Sequence, residues 1–513
     1  AERPSPLTGA FAALEAFAAH SGGDRKLTDQ EIAQIGATLS SAIHNIPADD
    51  QLFLPRLRDM VRERSVNVVP SMKRPLKQTD ILARVVLTQQ AHEAKTLPAE
   101  RLKPHPAAAE FPGAVPADAP RVSRTLHIDT GVPRWHSTGL YAAPGALITV
   151  KVPPAVAGKG LRFRIGCHKD RLFHKPSWNR VPEITRVFPI DAADTSPACA
   201  FGGSVYIEVP RGSDLGTIPV TISGAVEAPY YVLGETDPQD WRDTIRKHPA
   251  PWAEMATEKV VLSVQSGDIR NLDDPESLMR TWEHVMDACA DLIARPRERQ
   301  SPERYVADAQ ISAGYLHAGY PIMAQLSHSP KLVDNEYLLN AEKPAWGFYH
   351  EMGHNHQSRD WTFGGTGEVT CNLFSLYVID AVCGGSPSDD GRVGRAARVK
   401  RMQQYFAADP ATRSKGPFTF LIMYVQLQEA FGWDAYKKVF AQYRALPAGE
   451  RLKSDDEKRD QWLTRFSRTV GRNLGPFFEA WDVPTSQAAR DSIADLPIWM
   501  PENFPPETGE AAE

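Results

Sequence analysis

The sequence predicts a multidomain α+β protein: an N-terminal helical unit, a β-sandwich, and a mainly α-helical C-terminal part. Three observations carry this reading. Apolar residues recur at helical spacing near the start (Leu7, Phe11, Leu14, Phe17). Short apolar runs separated by Gly and Pro fill the middle. Long amphipathic stretches dominate the second half, around Trp282 and Phe420. The length of 513 residues leaves room for roughly three domains. A composition that is 42% hydrophobic and 24% charged belongs to packed globular protein, not to a disordered or coiled-coil chain.

The first segment, residues 1–96, reads as helices, with Thr28 as an N-cap and Glu31 three residues on to complete a capping box. Residues 97–120 carry Pro98, Pro104, Pro106, Pro112, Pro116 and Pro120 among alanines, a composition that suits an extended linker. Residues 121–235 hold strand-like runs at Leu147–Val152, Leu161–Ile165, Val205–Val209 and Ile218–Ile222, which argue a sandwich. Helical periods dominate residues 236–500, and the charge run Lys453–Asp460 reads as a solvated helix start. Residues 501–513, with Pro505, Pro506 and several Glu, read as an extended tail.

With 58 basic and 63 acidic residues the net charge is -5, so nucleic acid is not an expected partner. No run approaches the ~18 apolar residues of a transmembrane helix. Five cysteines (Cys167, Cys199, Cys289, Cys371, Cys383) are odd in number and form no close metal or redox pair, so at least one is unpaired. The start Ala1-Glu2-Arg3-Pro4-Ser5 lacks Met and any leader-like apolar run, as expected of a processed, secreted, periplasmic or cell-surface chain. The expected oligomeric state is a monomer.

The informative stretch is Trp346-Gly347-Phe348-Tyr349-His350-Glu351-Met352-Gly353-His354-Asn355-His356-Gln357. On a helix, His350 and His354 stand one turn apart and present both imidazoles to one divalent ion, and zinc suits such nitrogen donors. Glu351 lies beside them, placed to take a proton from an attacking water and pass it to a leaving amine. The aromatic run before His350 would bury one side of the helix. A third ligand is needed. Gln357 and Asp360 occupy the positions where a metzincin carries Gly and His, so that subclass fails. Glu368, opening the apolar run Val369–Tyr377, is one candidate; His356 and Asp360 compete with it.

These residues, together with Gly365-Thr366-Gly367-Glu368-Val369-Thr370, resemble the peptidase M60-like, enhancin-like family of mucin-degrading metallopeptidases. Thr138–Gly145, Ile165–Asp170 and Phe201–Glu208 resemble that family's sandwich; Phe431-Gly432-Trp433 and Asn473–Phe478 resemble its helical end. The likeness covers about 120–485 and implies a gluzincin-type catalytic domain. In it His350, His354 and Glu368 hold one catalytic zinc and Glu351 is the general base and acid. It further implies hydrolysis of peptide bonds in mucin-type O-glycosylated proteins, next to a glycosylated Ser or Thr.

A sugar site needs an aromatic platform and polar partners for hydroxyls. Two stretches offer them: His168–Arg171 with Trp178 and Arg180, and a strand-like segment from Gln310 to Tyr320 on which Tyr315 and His317 alternate to one face. Trp178, Arg180, Tyr315 and His317 are therefore the candidate glycan contacts. An edge strand at 310–320 would also pair with an extended substrate peptide. Cys371 reads as a small core residue.

Overall fold

Four helices open the chain: α1 (Pro6–Gly22), α2 (Asp29–Asn45), α3 (Phe53–Glu63) and α4 (Ile81–Thr96). The computed structural model describes residues 6–47, 50–63, 68–413, 416–502 and 504. The reading of Ala1–Ser5 as a processed start lies outside these described residues; of the 501–513 stretch read as an extended tail only 501, 502 and 504 are described, and Phe504 is packed. α2 starts as its sequence dictates, with the Thr28 side chain accepting from the Glu31 amide and Glu31 reaching back to the cap. Leu14, Phe17, Leu39, Ile43, Phe53 and Leu57 bury together as the core of this unit. A two-residue strand, β1 (Leu76–Lys77), docks it onto the next layer by pairing with β6 (Ser177–Trp178).

The sandwich comprises β2 (Val122–Asp129), β3 (Arg134–Ala142), β4 (Thr149–Lys151), β5 (Arg162–Ile165), β7 (Arg186–Pro189), β8 (Asp194–Thr195), β9 (Gly203–Val209) and β10 (Thr217–Glu227). One part runs β7-β5-β9-β3 and the other holds β2, β10, β4 and β8. The long strand β10 belongs to both. Its first half pairs with β2 and β4, its last residues pair with β3, and the register breaks between Ser223 and Ala225. Gly224, at φ +91, supplies the left-handed residue that this corner requires. Ile128, Val220 and Ile222 from one part meet Phe163, Val205 and Ile207 from the other in one core.

The segment expected to be a linker is packed instead. Ala107, Ala108 and Phe111 are buried in the sandwich core. Phe111 lies edge-on to His168 and Trp252, and the Trp252 indole donates to the Pro112 carbonyl at 2.8 Å. The prolines limit the number of backbone donors needing partners, so this strap lies on apolar surface without a ladder of its own. The seam expected near 235 also moves, because β11 (Tyr230–Val232) already pairs with the following sheet.

That sheet has six strands in the order β11-β12-β13-β14-β16-β15. The remaining members are β12 (Trp252–Ala256), β13 (Val260–Gln265), β14 (Glu303–Asp308), β15 (Leu316–His317) and β16 (Ile322–Gln325). β14 is buried throughout. One face of the sheet carries α5 (Pro275–Leu292), whose Trp282 packs on Tyr305; the other puts Val306 and Met323 against Cys167 and Tyr206 of the sandwich. The sheet thus precedes the helical part foreseen from sequence: α6 (Trp346–His356), α7 (Gly367–Ala381), α8 (Pro417–Arg444, broken at Gly432) and α9 (Asp455–Val470). α9 starts on a Ser454–Glu457 capping box inside the charge run. At its far end the chain turns back, and Phe504 packs on Phe406, Phe477 and Trp481. All five cysteines are free thiols. Among the described residues no helix is long and apolar enough to cross a membrane.

Candidate metal centre

α6 is fixed from two sides. The Tyr305 hydroxyl of β14 donates to the Phe348 carbonyl at 2.7 Å, and the Tyr349 hydroxyl donates to the Leu338 carbonyl at 2.5 Å. Phe348, Tyr349 and Met352 face the core, which turns His350 and His354 toward α7. The two helices approach so closely that a Cβ on Gly353 would collide with the Cys371 carbonyl oxygen. That approach brings the first turn of α7 to the histidine pair.

The result is a three-donor cluster. His350 Nε2 and His354 Nε2 lie 3.2 Å apart, and Glu368 Oε2 is 3.2 Å from the first and 3.4 Å from the second. A tetrahedral zinc with ligand distances of about 2.0–2.1 Å places its donors about 3.3 Å apart, so these three atoms fit such an ion. The Nδ1 atoms face away from the cluster. His350 Nδ1 lies 2.6 Å from Asn372 Oδ1, so it carries the proton and leaves Nε2 free. His354 Nδ1 contacts the Gln357 amide at 2.8 Å, and Gln357 in turn meets the Thr370 hydroxyl at 2.9 Å. The two ends of an amide have the same shape. With Gln357 Oε1 toward His354, the ring donates from Nδ1 and again offers Nε2 to a metal.

Cys371 also lies in the cluster, but its sulfur is nearer His350 Nδ1 (3.5 Å) than Nε2 (3.9 Å). Burial pushes its thiol well up, as suits a neutral packing residue. The competing ligands are elsewhere. His356 is buried, donates from Nδ1 to the Met352 carbonyl and accepts from Arg299 at Nε2; burial, aided by Arg299, holds its pKa down to about 3. Asp360 is buried and paired with Arg451.

Glu351 is almost buried beside the donors. Burial raises its carboxyl pKa; His350 opposes this, Glu368 adds to it, and His317 and the Ala318 amide pull it back. Glu351 therefore sits between the donor cluster and β15. That strand is the outer edge of its sheet, pairing on one side only through Leu316↔Ala324 and His317↔Met323. Only two residues of the segment foreseen as a strand are extended in the ladder. Asn355, one residue past His354, binds the segment end: it accepts from the Gly319 amide and donates to the Gly319 carbonyl, both at 3.0 Å. Sequence reasoning passed over Asn355, although its place within the motif was a signal.

Of the four candidate glycan contacts, two are overturned. Trp178 is 1% exposed, donates its indole N–H to the Leu172 carbonyl and is covered by Arg84, whose guanidinium lies 3.8 Å from its ring centre. Arg180, also 1% exposed, forms a two-pronged pair with Asp308 at 2.6 and 2.7 Å, joining sandwich to sheet. Both are interior groups. Tyr315 is 73% exposed beside the edge strand. His317 is half-buried, with Nε2 2.7 Å from Asp170. Burial works against the ionised Asp170, yet His317 and the Ser312 amide hold it down to about 2, while the same bond raises His317.

A histidine pair and a carboxylate on two crossing helices, with a glutamate between them and an open sheet edge, define a metallopeptidase-type domain. The comparisons agree. The model "Peptidase M60, enhancin and enhancin-like" matches residues 224–482, and "N-terminal domain of M60-like peptidases" matches 117–223. The chain belongs to the peptidase M60 family. It is 42% identical over 371 residues to the TRPM8 channel-associated factor 1 of Bos taurus, across 71% of this chain and 39% of that protein. It thus spans about two fifths of that relative's length. Among solved structures, a functionally unknown conserved protein of Bacillus anthracis aligns with TM-score 0.60 at 22% identity, covering 74% of this chain and 80% of its own. The IMPa metallopeptidase of Pseudomonas aeruginosa, solved also in complex with an O-glycopeptide, aligns in that complex with TM-score 0.58 at 16% identity, covering 92% and 63%. At these identities the likeness is one of fold.

Proposed function

We propose that the chain is a secreted zinc endopeptidase that hydrolyses peptide bonds in mucin-type O-glycosylated proteins beside a glycosylated Ser or Thr. The observation that carries this is the convergence of His350 Nε2, His354 Nε2 and Glu368 Oε2 beside Glu351 and an open sheet edge. Zinc, when bound, supplies a Lewis acid for the scissile carbonyl and for water. The chain's own residues do the rest. β15 pairs with the extended peptide and sets its register against α6. Glu351, its pKa raised by burial, takes the proton of the attacking water and delivers it to the leaving amine. Asn355 holds the strand end in place. Tyr315 offers the sugar an aromatic face, and His317 offers hydroxyls a polar edge. Support for the glycan comes from the IMPa complex with an O-glycopeptide, on a similar fold.

The name of the vertebrate relatives favours a second reading, in which this fold acts by binding a partner protein. The full donor set together with Glu351 favours catalysis. The test is cleavage of a glycosylated mucin fragment by wild type and by Glu351→Ala, with zinc quantified in both. Expected are retained zinc and a rate lower by at least about a hundredfold in the variant. Undiminished cleavage, or no zinc in either protein, would refute the mechanism. Equal cleavage of the fragment after enzymatic removal of its O-glycans would refute the glycan requirement alone.

A further inference from the structure

Beyond the C-terminal end of α6 lies a cavity of about 470 Å³ that no step above uses. Its wall carries Arg295, Arg359, Arg444 and Arg451, and Trp361 and Tyr443 also line it. The single acidic lining residue, Asp360, is taken by Arg451. Among the described residues, Arg295, Arg359 and Arg444 have no carboxylate partner, and Arg444 reaches only the Ala294 carbonyl. These exposed cations give one concavity a positive potential that favours an anion.

Trp361 and Tyr443 are 5% and 0% exposed, yet the Trp361 indole N–H and the Tyr443 hydroxyl have no hydrogen-bond partner. Buried donors of this kind are ordinarily paired, as the indoles of Trp241, Trp252 and Trp282 are with carbonyls. An aromatic pair under a rim of arginines suits a ligand bearing an acidic group. The cavity also adjoins the metal centre. Gln357 lines it and touches His354; Asn355 lines it and holds Gly319.

We propose that this cavity is a subsite for a carboxylate carried by the substrate, on a sugar or on a neighbouring peptide residue. The proposal rests on the peptidase reading for its role and stands apart from it for binding. Calorimetric titration of the full chain with 3′-sialyllactose, with lactose, and with blocked tetrapeptides differing only as Asp or Asn tests it. An acidic probe is expected to bind more tightly than its neutral counterpart, and to weaken in added salt. The sugar pair and the peptide pair tell which source the site takes. Arg295→Gln combined with Arg359→Gln, both at exposed positions, should lower the acidic affinity about tenfold, the factor that two screened charge pairs supply. Arg444→Gln should act in the same direction. Equal affinity for both acidic and neutral members of each pair, or unchanged affinity in these variants, would overturn the subsite. Acidic binding that survives in a chain unable to cleave any mucin fragment would support the subsite while refuting the peptidase reading.

Discussion

At the scale of single residues, the site depends on groups that never touch a metal. Asn372 fixes the His350 ring by accepting its Nδ1 proton at 2.6 Å, and the Gln357 side-chain amide holds the His354 ring through its Nδ1 at 2.8 Å. Without them each ring is free to rotate or to carry its proton on Nε2, the atom the ion needs. Asn372→Ala is therefore expected to weaken zinc about 10–100-fold with little change in thermal stability, read by competition with a chelator. Unchanged affinity would show that helix packing alone orients the ring. The same scale explains what was legible. His350 and His354 stand out because four-residue spacing on a helix is a local fact of sequence. Trp178 and Arg180 misled because burial is a long-range property: their composition suits a sugar platform, but Arg84 covers one and Asp308 neutralises the other.

At the scale of elements, the third donor of the cluster arrives by helix crossing. Glu368 is in the first turn of α7, and it meets the histidines because Gly353 lets the α7 backbone lie directly on α6. Fourteen residues of separation do not announce that contact; from sequence alone His356 and Asp360 competed with Glu368 for the third place. Gly353→Ala should push α7 away and lift Glu368 from the donor cluster. The expected outcome is a folded protein whose zinc affinity drops by more than tenfold, visible as metal loss on dialysis with far-ultraviolet circular dichroism retained. Full zinc occupancy under the same dialysis would mean that α7 can shift without carrying the carboxylate off. The Pro-rich strap at 97–120 is the converse lesson. Its composition reads as linker, but Phe111 and Trp252 find each other across the fold and bury it.

At the scale of the whole molecule, the sandwich and the six-stranded sheet are tied by buried charge as well as by apolar packing. Arg180–Asp308 and Arg304–Glu254 both cross or flank that junction, with Arg304 reaching Ser137 and Tyr206 donating to Glu254. Removing one member leaves the other ionised in the interior. Asp308→Asn should thus cost about 3–5 kcal/mol in urea unfolding, whereas replacing both partners by apolar residues should cost far less. A second whole-molecule property follows from histidines buried in the neutral form in separate parts of the chain. Burial holds His105, on the strap, to about 4; burial and Arg299 hold His356, under α6, to about 3. An unfolded histidine titrates near 6.5, so below that pH the unfolded chain binds protons that the folded chain refuses. Stability must fall as pH drops from about 6.5 toward these folded values, by up to about 1.4 kcal/mol per pH unit for each histidine. His105→Asn keeps an acceptor near the Ala107 amide and removes one such proton from this balance. The stability gap between wild type and that variant, measured by urea unfolding at pH 7 and pH 5, should narrow by about 2 kcal/mol at the lower pH. A gap that does not change with pH would show that His105 is already protonated in the folded chain.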